Sequence, residues 1–303
     1  MIAAVGIAVI DHIMLMNGFR EGEGSFHCER YICEPGGMAT TAMCTAARLG
    51  SGTRLAARIG NDPGGELIMQ RLRQFGVDTS RVAAVPGAMS VASFVLVDMT
   101  TGDKQFYSER IKSAYADDIP LDLSLLDGVD VLLVDGHWTD EALSAVQCAR
   151  AQGIPVVADF KRTYHGLESL FPYIDYFIVP LFYGRELTGC YDPSEVLIAL
   201  DGMQAGVPVL TDGANGGWYL NGGKTGQYPA FPVECLDSTG AGDAFHGAFC
   251  HFLSNGGEFE PCLELSSAVG ALNCRAYGGQ AALPDMEELT SFLGKYGGNA
   301  ILR

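Results

Sequence analysis

The run Asp237-Ser238-Thr239-Gly240-Ala241-Gly242-Asp243-Ala244-Phe245-His246-Gly247 sets two glycines around Ala241, directly before a stretch of small residues that reads as a helix. The backbone N–H groups of Gly240, Ala241 and Gly242 would stand free at the start of that helix, where the positive end of the dipole also favours an anion. Glycine suits this turn because a side chain would block close approach of a phosphate. Asp243 then falls in the first turn, beside the incoming anion. A carboxylate there can accept a proton from an attacking hydroxyl. A lone G-x-G-D would be read as a capped tight turn; the length of the run favours phosphate chemistry.

Working outward, the chain alternates between buried strands and helices. Strands are expected at 2–10, 53–59, 131–134, 155–158, 176–179 and 207–211, with a hairpin at 217–220 and 224–228. Helices are expected at 38–49, 66–75, 140–151, 193–200, 241–255, 261–275 and 285–293. Such alternation implies an α/β fold with a mostly parallel, doubly wound sheet and helices on both faces. Two stretches break the pattern. Residues 12–34 are polar and aromatic with extended pieces, and residues 80–112 are strand-like, with strands at 90–98 and 104–109 around a turn at Gly102. They are expected to form a small β lid from about 12–34 and 88–112, within a single domain spanning 1–303.

Composition narrows the function. Of 303 residues, 48% are hydrophobic and 18% charged, which describes a globular chain. The formal charge of −17 argues against a nucleic-acid partner, which needs clustered Lys and Arg. It does not exclude one nucleotide, which needs only a local nest of N–H groups. Nine cysteines without a C-x-x-C pair read as reduced thiols in a cytoplasmic protein. No apolar run reaches membrane-spanning length, so no membrane is expected. Gly223-Lys224-Thr225 is not a P-loop, because its spacing fails and it lies in a hairpin. Val5-Gly6-Ile7-Ala8-Val9 lacks the G-x-G-x-x-G of a dinucleotide site.

The pattern D-[ST]-T-G-A-G-D-x-F-x-G at 237–247 resembles the C-terminal signature of the ribokinase-like, or PfkB, carbohydrate kinases. Gly36-Gly37 before a small-residue helix resembles the N-terminal signature. Asp11 after the first strand, the Ile59-Gly60-Asn61-Asp62 loop, the hairpin at 90–110 and the Gly278-Gly279 turn extend the likeness over nearly the whole chain. The resemblance implies a ribokinase-like fold and an ATP-dependent kinase acting on a hydroxyl of a sugar-like substrate. It implies Asp243 as general base, an anion hole at 240–243, and a substrate diol held by Asp11 with Gly36 and Gly37 allowing close approach. Thr41, where relatives usually carry Asn, and His137, beside Trp138 after a strand, are further substrate candidates.

Thr211-Asp212-Gly213-Ala214-Asn215-Gly216-Gly217 resembles the family segment along the ATP phosphates, so Thr211, Gly213 and Gly216 are nucleotide candidates. Asn273 is a candidate beside the adenine. Asp237 and Thr239 match positions that hold a monovalent cation such as K⁺ in this family. Mg²⁺ is expected with ATP, but the usual N-x-x-E is replaced by Pro180-Leu181-Phe182-Tyr183, leaving Glu186 as its substitute. D-x-N-x-R appears only as Asp159-Phe160-Lys161-Arg162. The 36–41 and 245–247 segments look closest to sulfofructose kinases, although Ser25 and His137 stand where sulfonate donors are expected. A nucleoside kinase using Phe26, Phe94, Phe106 and Tyr107, or a catalytically weak sugar or nucleotide sensor, are the alternatives. A homodimer pairing through the lid is compatible with all of these.

Overall fold

The computed structural model describes residues 1–19, 22–101, 103–108 and 120–296. The expected lid residues 109–112 and the turn residue Gly102 lie outside the described residues. In chain order the first strands and helices are β1 (Ile2–Val5), β2 (Val9–Met16), β3 (Arg30–Gly36), α1 (Met38–Arg48), β4 (Thr53–Gly60), α2 (Pro63–Gln74), β5 (Asp78–Val85), β6 (Val91–Asp98) and β7 (Lys104–Ser108). The second half continues with β8 (Val131–Val134), α3 (Thr139–Gln152), β9 (Val156–Asp159), β10 (Tyr176–Pro180), α4 (Leu181–Thr188), α5 (Pro193–Asp201) and β11 (Val207–Thr211). It closes with β12 (Gly217–Asn221), β13 (Lys224–Tyr228), α6 (Ala241–Ser254), α7 (Phe259–Asn273) and α8 (Met286–Gly294).

Nine strands form one sheet in the order β13-β12-β11-β10-β9-β8-β1-β4-β5. The pairs from β5 to β11 are parallel, and the β11-β12-β13 edge is antiparallel. Period-2 alternation in the strands explains why both faces are covered. In β1, Ile2 and Ala4 enter one core with α1, α6 and α7, while Ala3 and Val5 enter the other with α3 and α5. Helix starts follow local chemistry: Asp62 accepts from Gly65 N at 2.8 Å ahead of Pro63, and Asp285 and Glu288 form a capping box.

A second sheet, ordered β3-β2-β6-β7, stands where the lid is expected, with β2 and β6 parallel and both outer pairs antiparallel. Its inner face carries Asp11, Ile13 and Leu15 from β2, Ser93, Val95 and Val97 from β6, and Lys104 from β7. Ile13, Leu15, Val95 and Val97 form a small core of their own, with Ile32 and Tyr277 packed on it.

Four expectations are corrected. The single strand expected at 2–10 is two strands in two sheets. The chain breaks at Gly6, where a Cβ would overlap Asp135 and Ala39, and Ile7 N turns to Asp135 Oδ2 at 2.7 Å. The lid therefore takes in Val9–Met16 and Arg30–Gly36 instead of starting at 12 and ending at 34. The strand-like stretch expected as one inserted hairpin from about 80 to 112 begins instead with β5, the parallel edge strand beside β4. Helix α4 was not foreseen; Gly184 at its centre lets it lie against Leu210 and Val196.

Candidate active site

The strand ends β1, β8, β9 and β10 and the N-terminus of α6 converge at one end of the parallel sheet. Gly240 caps α6 with φ +73°, and a Cβ there would press on the backbone of Gly279, so glycine is required twice over. The expected nest of three free N–H groups is altered in one position. Ala241 N donates to Ser238 O at 3.2 Å, closing the turn. The N–H groups of Gly242 and Asp243 have no acceptor among the described residues, as the first turn of a helix leaves them. Nothing lies within 4 Å of a Cβ built on Gly242, so open space faces this turn.

Asp243 is buried, and its Oδ1 lies 2.5 Å from Lys161 Nζ. Lys161 follows β9, within the Asp159-Phe160-Lys161-Arg162 segment, and the sequence pattern alone does not mark it as a site residue. Burial alone would push its ammonium down, but the charges of Asp243 and Asp159 outweigh that and hold it up. Asp159 is fully buried, and burial raises its carboxyl to about 6 against the pull of His246 and Lys161. His246 Nδ1 faces Gly242 O at 2.7 Å and its Nε2 faces Ile178 O at 3.1 Å. Asp159 Oδ2 lies 3.4 Å from the same Nδ1. Asp243, Lys161, Asp159 and His246 thus form a row of ionisable side chains running from the cleft into the core.

Asp11 reaches the cleft from the inner face of the lid. Burial raises its carboxyl to about 7 against a bond from Ser93, with Glu34 and Asp243 pushing the same way as burial. A Cβ on Gly36 would fall on the Asp11 carboxylate, and Gly37 at φ +103° would put one against Ile7 O. The expected close approach at Gly36-Gly37 is therefore made first by the protein's own Asp11. Thr41 is buried in α1, and its hydroxyl accepts from Gln280 Nε2 at 3.1 Å. His137 has both ring nitrogens engaged, Nδ1 with Asp135 Oδ1 at 3.0 Å and Nε2 with Tyr164 OH at 2.9 Å. Asp135 also binds Ile7 N and Ala39 N, so it ties β1, α1 and β8 together.

Behind the turn, Asp237 has no exposed side-chain surface. Its Oδ1 receives Thr239 N at 2.8 Å, Thr239 Oγ1 at 2.7 Å and the ammonium of Lys104, and its Oδ2 receives Gly278 N at 2.9 Å. Asp237 and Thr239 do not fit an exchangeable K⁺, because the Lys104 ammonium already stands against the carboxylate. Asn273, expected beside the adenine, is instead fully buried; its Nδ2 donates to Thr239 O at 3.3 Å and Gly279 O at 3.0 Å. It braces the turn and does not reach open space.

A family model described as pfkB family carbohydrate kinase matches residues 1–286. The chain belongs to the PfkB family of carbohydrate kinases. A ribokinase of Bacillus subtilis strain 168 is 25% identical over 265 residues, covering 86% of this chain and 87% of its own. A crystal structure of an Agrobacterium tumefaciens protein, provisionally assigned as a ribokinase, superposes with TM-score 0.91 at 26% identity over 97% of both chains. The structure of Arabidopsis thaliana ribokinase complexed with ribose and ATP shares the fold, with TM-score 0.81 at 21% identity over 96% of this chain and 98% of that one.

In this PfkB kinase the loop after β11 carries Thr211 at the strand end, Gly213 at φ +53° and Gly216 at φ +78°. A Cβ at Gly216 would strike Tyr228 O, which fixes the turn toward the β12–β13 hairpin. Glu186 is exposed on α4, close enough for its charge to raise the Tyr183 hydroxyl after burial has done so. Among the described residues no group of three metal-ligating side chains exists. Glu186, a single exposed carboxylate, could at most assist a Mg²⁺ brought in on nucleotide phosphates with its own waters. No helix of the described residues is long and apolar enough to cross a membrane.

Proposed function

We propose that this PfkB-family sugar kinase transfers the γ-phosphate of ATP to a hydroxyl of a sugar or sugar derivative, with Asp243 as general base. The observation that carries this reading is the placement of Asp243 in the first turn of α6, beside two unpartnered N–H groups and facing Lys161. The acceptor hydroxyl is oriented by Asp11 and gives its proton to Asp243 as phosphorus is attacked in line. The Gly242 and Asp243 amides stabilise charge developing on the transferring phosphoryl group. Thr211, Gly213 and Gly216 line the nucleotide phosphates and ribose. Mg²⁺, supported by Glu186, supplies charge neutralisation when bound. Closure of the lid strands β2, β3, β6 and β7 excludes water that would otherwise hydrolyse ATP.

A sugar is favoured over a nucleoside because the relatives include a ribokinase and fructokinases. Of the aromatic residues a nucleoside would use, Phe94 and Tyr107 lie opposite one another on the outer face of the lid, with His12 stacked on Phe94 at 4.9 Å, whereas Phe106 pairs with Val95 on the inner face. The engaged nitrogens of His137 leave it without a free donor for a sulfonate. A homodimer closing over that outer aromatic face belongs to the same reading, and sedimentation velocity decides it. The function is tested by ADP release from ATP across a panel of neutral sugars, sugar acids and nucleosides, with Asp243→Asn as control. Release with a sugar that vanishes in the variant supports the proposal. Binding of sugar and ATP with no release from any acceptor favours a sensor.

A further inference from the structure

Lys104 is the inner-face residue at the start of β7, and it crosses from the lid to the loop that leads into α6. Its Nζ contacts Asp237 Oδ1, lies 2.9 Å from Ser238 Oγ and 3.4 Å from Thr239 Oγ1. The Lys104 side chain is 13% exposed and the Asp237 side chain 0%. We propose that the Lys104 ammonium is a built-in monovalent cation: it fills the place beside Asp237 and Thr239, makes catalysis independent of K⁺, and ties the order of the 237–242 turn to the docked lid.

Three observations support this. First, a buried carboxylate needs a counter-charge. Although burial pushes the Asp237 carboxyl up, the charge and hydrogen bond of Lys104, with Gly278 N and Thr239, bring it below its usual value. Second, the oxygens around Nζ are the side-chain oxygens of three consecutive residues, the donor set that a weakly hydrated cation would otherwise take. Third, the lid docks on this same region by independent contacts. Tyr277 packs on the lid core, and the Glu34 carboxylate occupies the space where a Cβ of Gly278 would lie. Gly278 in turn donates to Asp237. The turn that presents Gly242 and Asp243 is thus held from behind by a charge that the lid carries.

The activity arm of the test rests on the kinase reading above; the stability arm does not. Turnover is measured with KCl, NaCl or choline chloride at equal ionic strength. Wild type is expected to vary by less than about twofold, whereas tenfold activation by K⁺ overturns the proposal. Lys104→Ala, which opens a hole, should lose about 100-fold in kcat in choline and regain at least about tenfold with K⁺ or methylammonium. Lys104→Met, which fills the hole without charge, should show the same loss and no rescue. Equal behaviour of both variants in all salts would mean that Lys104 only fastens the lid, and overturns the cation role. The Tm of Lys104→Ala should rise in KCl over choline chloride while that of wild type stays constant; the absence of such a difference also counts against it. If Lys104→Ala does not fold, the wild-type and Lys104→Met arms still decide.

Discussion

Lys161 Nζ lies 2.5 Å from Asp243 Oδ1, so the carboxylate proposed as the base already has a cationic partner before any acceptor enters. The pair is not isolated. Asp159 and His246 stand behind it, and Asp11 faces it from the lid. The ammonium is positioned to orient the Asp243 carboxylate toward the cleft.

Replacing Lys161 with Met removes that support. The expected outcome is a fall of about 10- to 100-fold in kcat/KM. Lys161→Arg, which keeps the charge, should recover part of that loss. Equal losses in the Met and Arg variants would show that the charge of Lys161 is not what matters.

Asp243→Asn keeps the shape of the α6 turn but cannot accept a proton. Turnover should fall by about three orders of magnitude or more while ATP affinity changes little. Single-turnover kinetics and calorimetric titration separate the two. A variant with near-native turnover would reassign the base.

Much of this was legible in the sequence, for reasons that differ by residue. The 237–247 run announced itself because a phosphate-binding helix start needs glycine at specific places, and Gly240 does sit at positive φ against Gly279. The break at Gly6 was hidden, because Ile2–Ile10 is apolar throughout and periodicity cannot show a strand leaving one sheet for another. Lys161 and Lys104 were hidden for a different cause. Each matters only through a carboxylate 82 or 133 residues away, and single-sequence patterns carry no such distances. Asn273 lay near the right loop, but its side chain faces inward to two carbonyls instead of outward to a base.

Asp11 gives a stability prediction with an opposite sign to its catalytic one. Its carboxyl moves from an ordinary 3.8 to about 7, with burial the largest cause. Between those values the native state keeps a proton that the unfolded chain has released, so stability falls as pH rises through the window. Asp11→Asn should therefore be more stable than wild type at pH 8, by up to about 4 kcal/mol, yet bind the acceptor more weakly. Urea titrations at pH 5 and pH 8 check it; an equal difference at both would remove Asp11 charge as the cause.

His251 works at the acid end. It is buried in α6 with Ser51 Oγ 2.8 Å from its Nδ1, and burial lowers its pKa from 6.5 to about 4. Its contribution is fully present above pH 6.5 and is lost as pH falls toward 4, because the unfolded chain takes up the proton first. The loss amounts to about 3 kcal/mol at most. His251→Gln should flatten the pH dependence of unfolding in that interval, and an unchanged slope would assign it to other groups.

The parallel pairing of β2 with β6 has a consequence for how the molecule assembles. Val9 meets Val91 and Met16 meets Asp98, so the partners are separated by about 80 residues of chain and share no turn. Pairing β2 with β6 therefore closes a loop of about 80 residues that no local turn can nucleate, a non-local contact whose entropy cost sets it among the slower steps of folding.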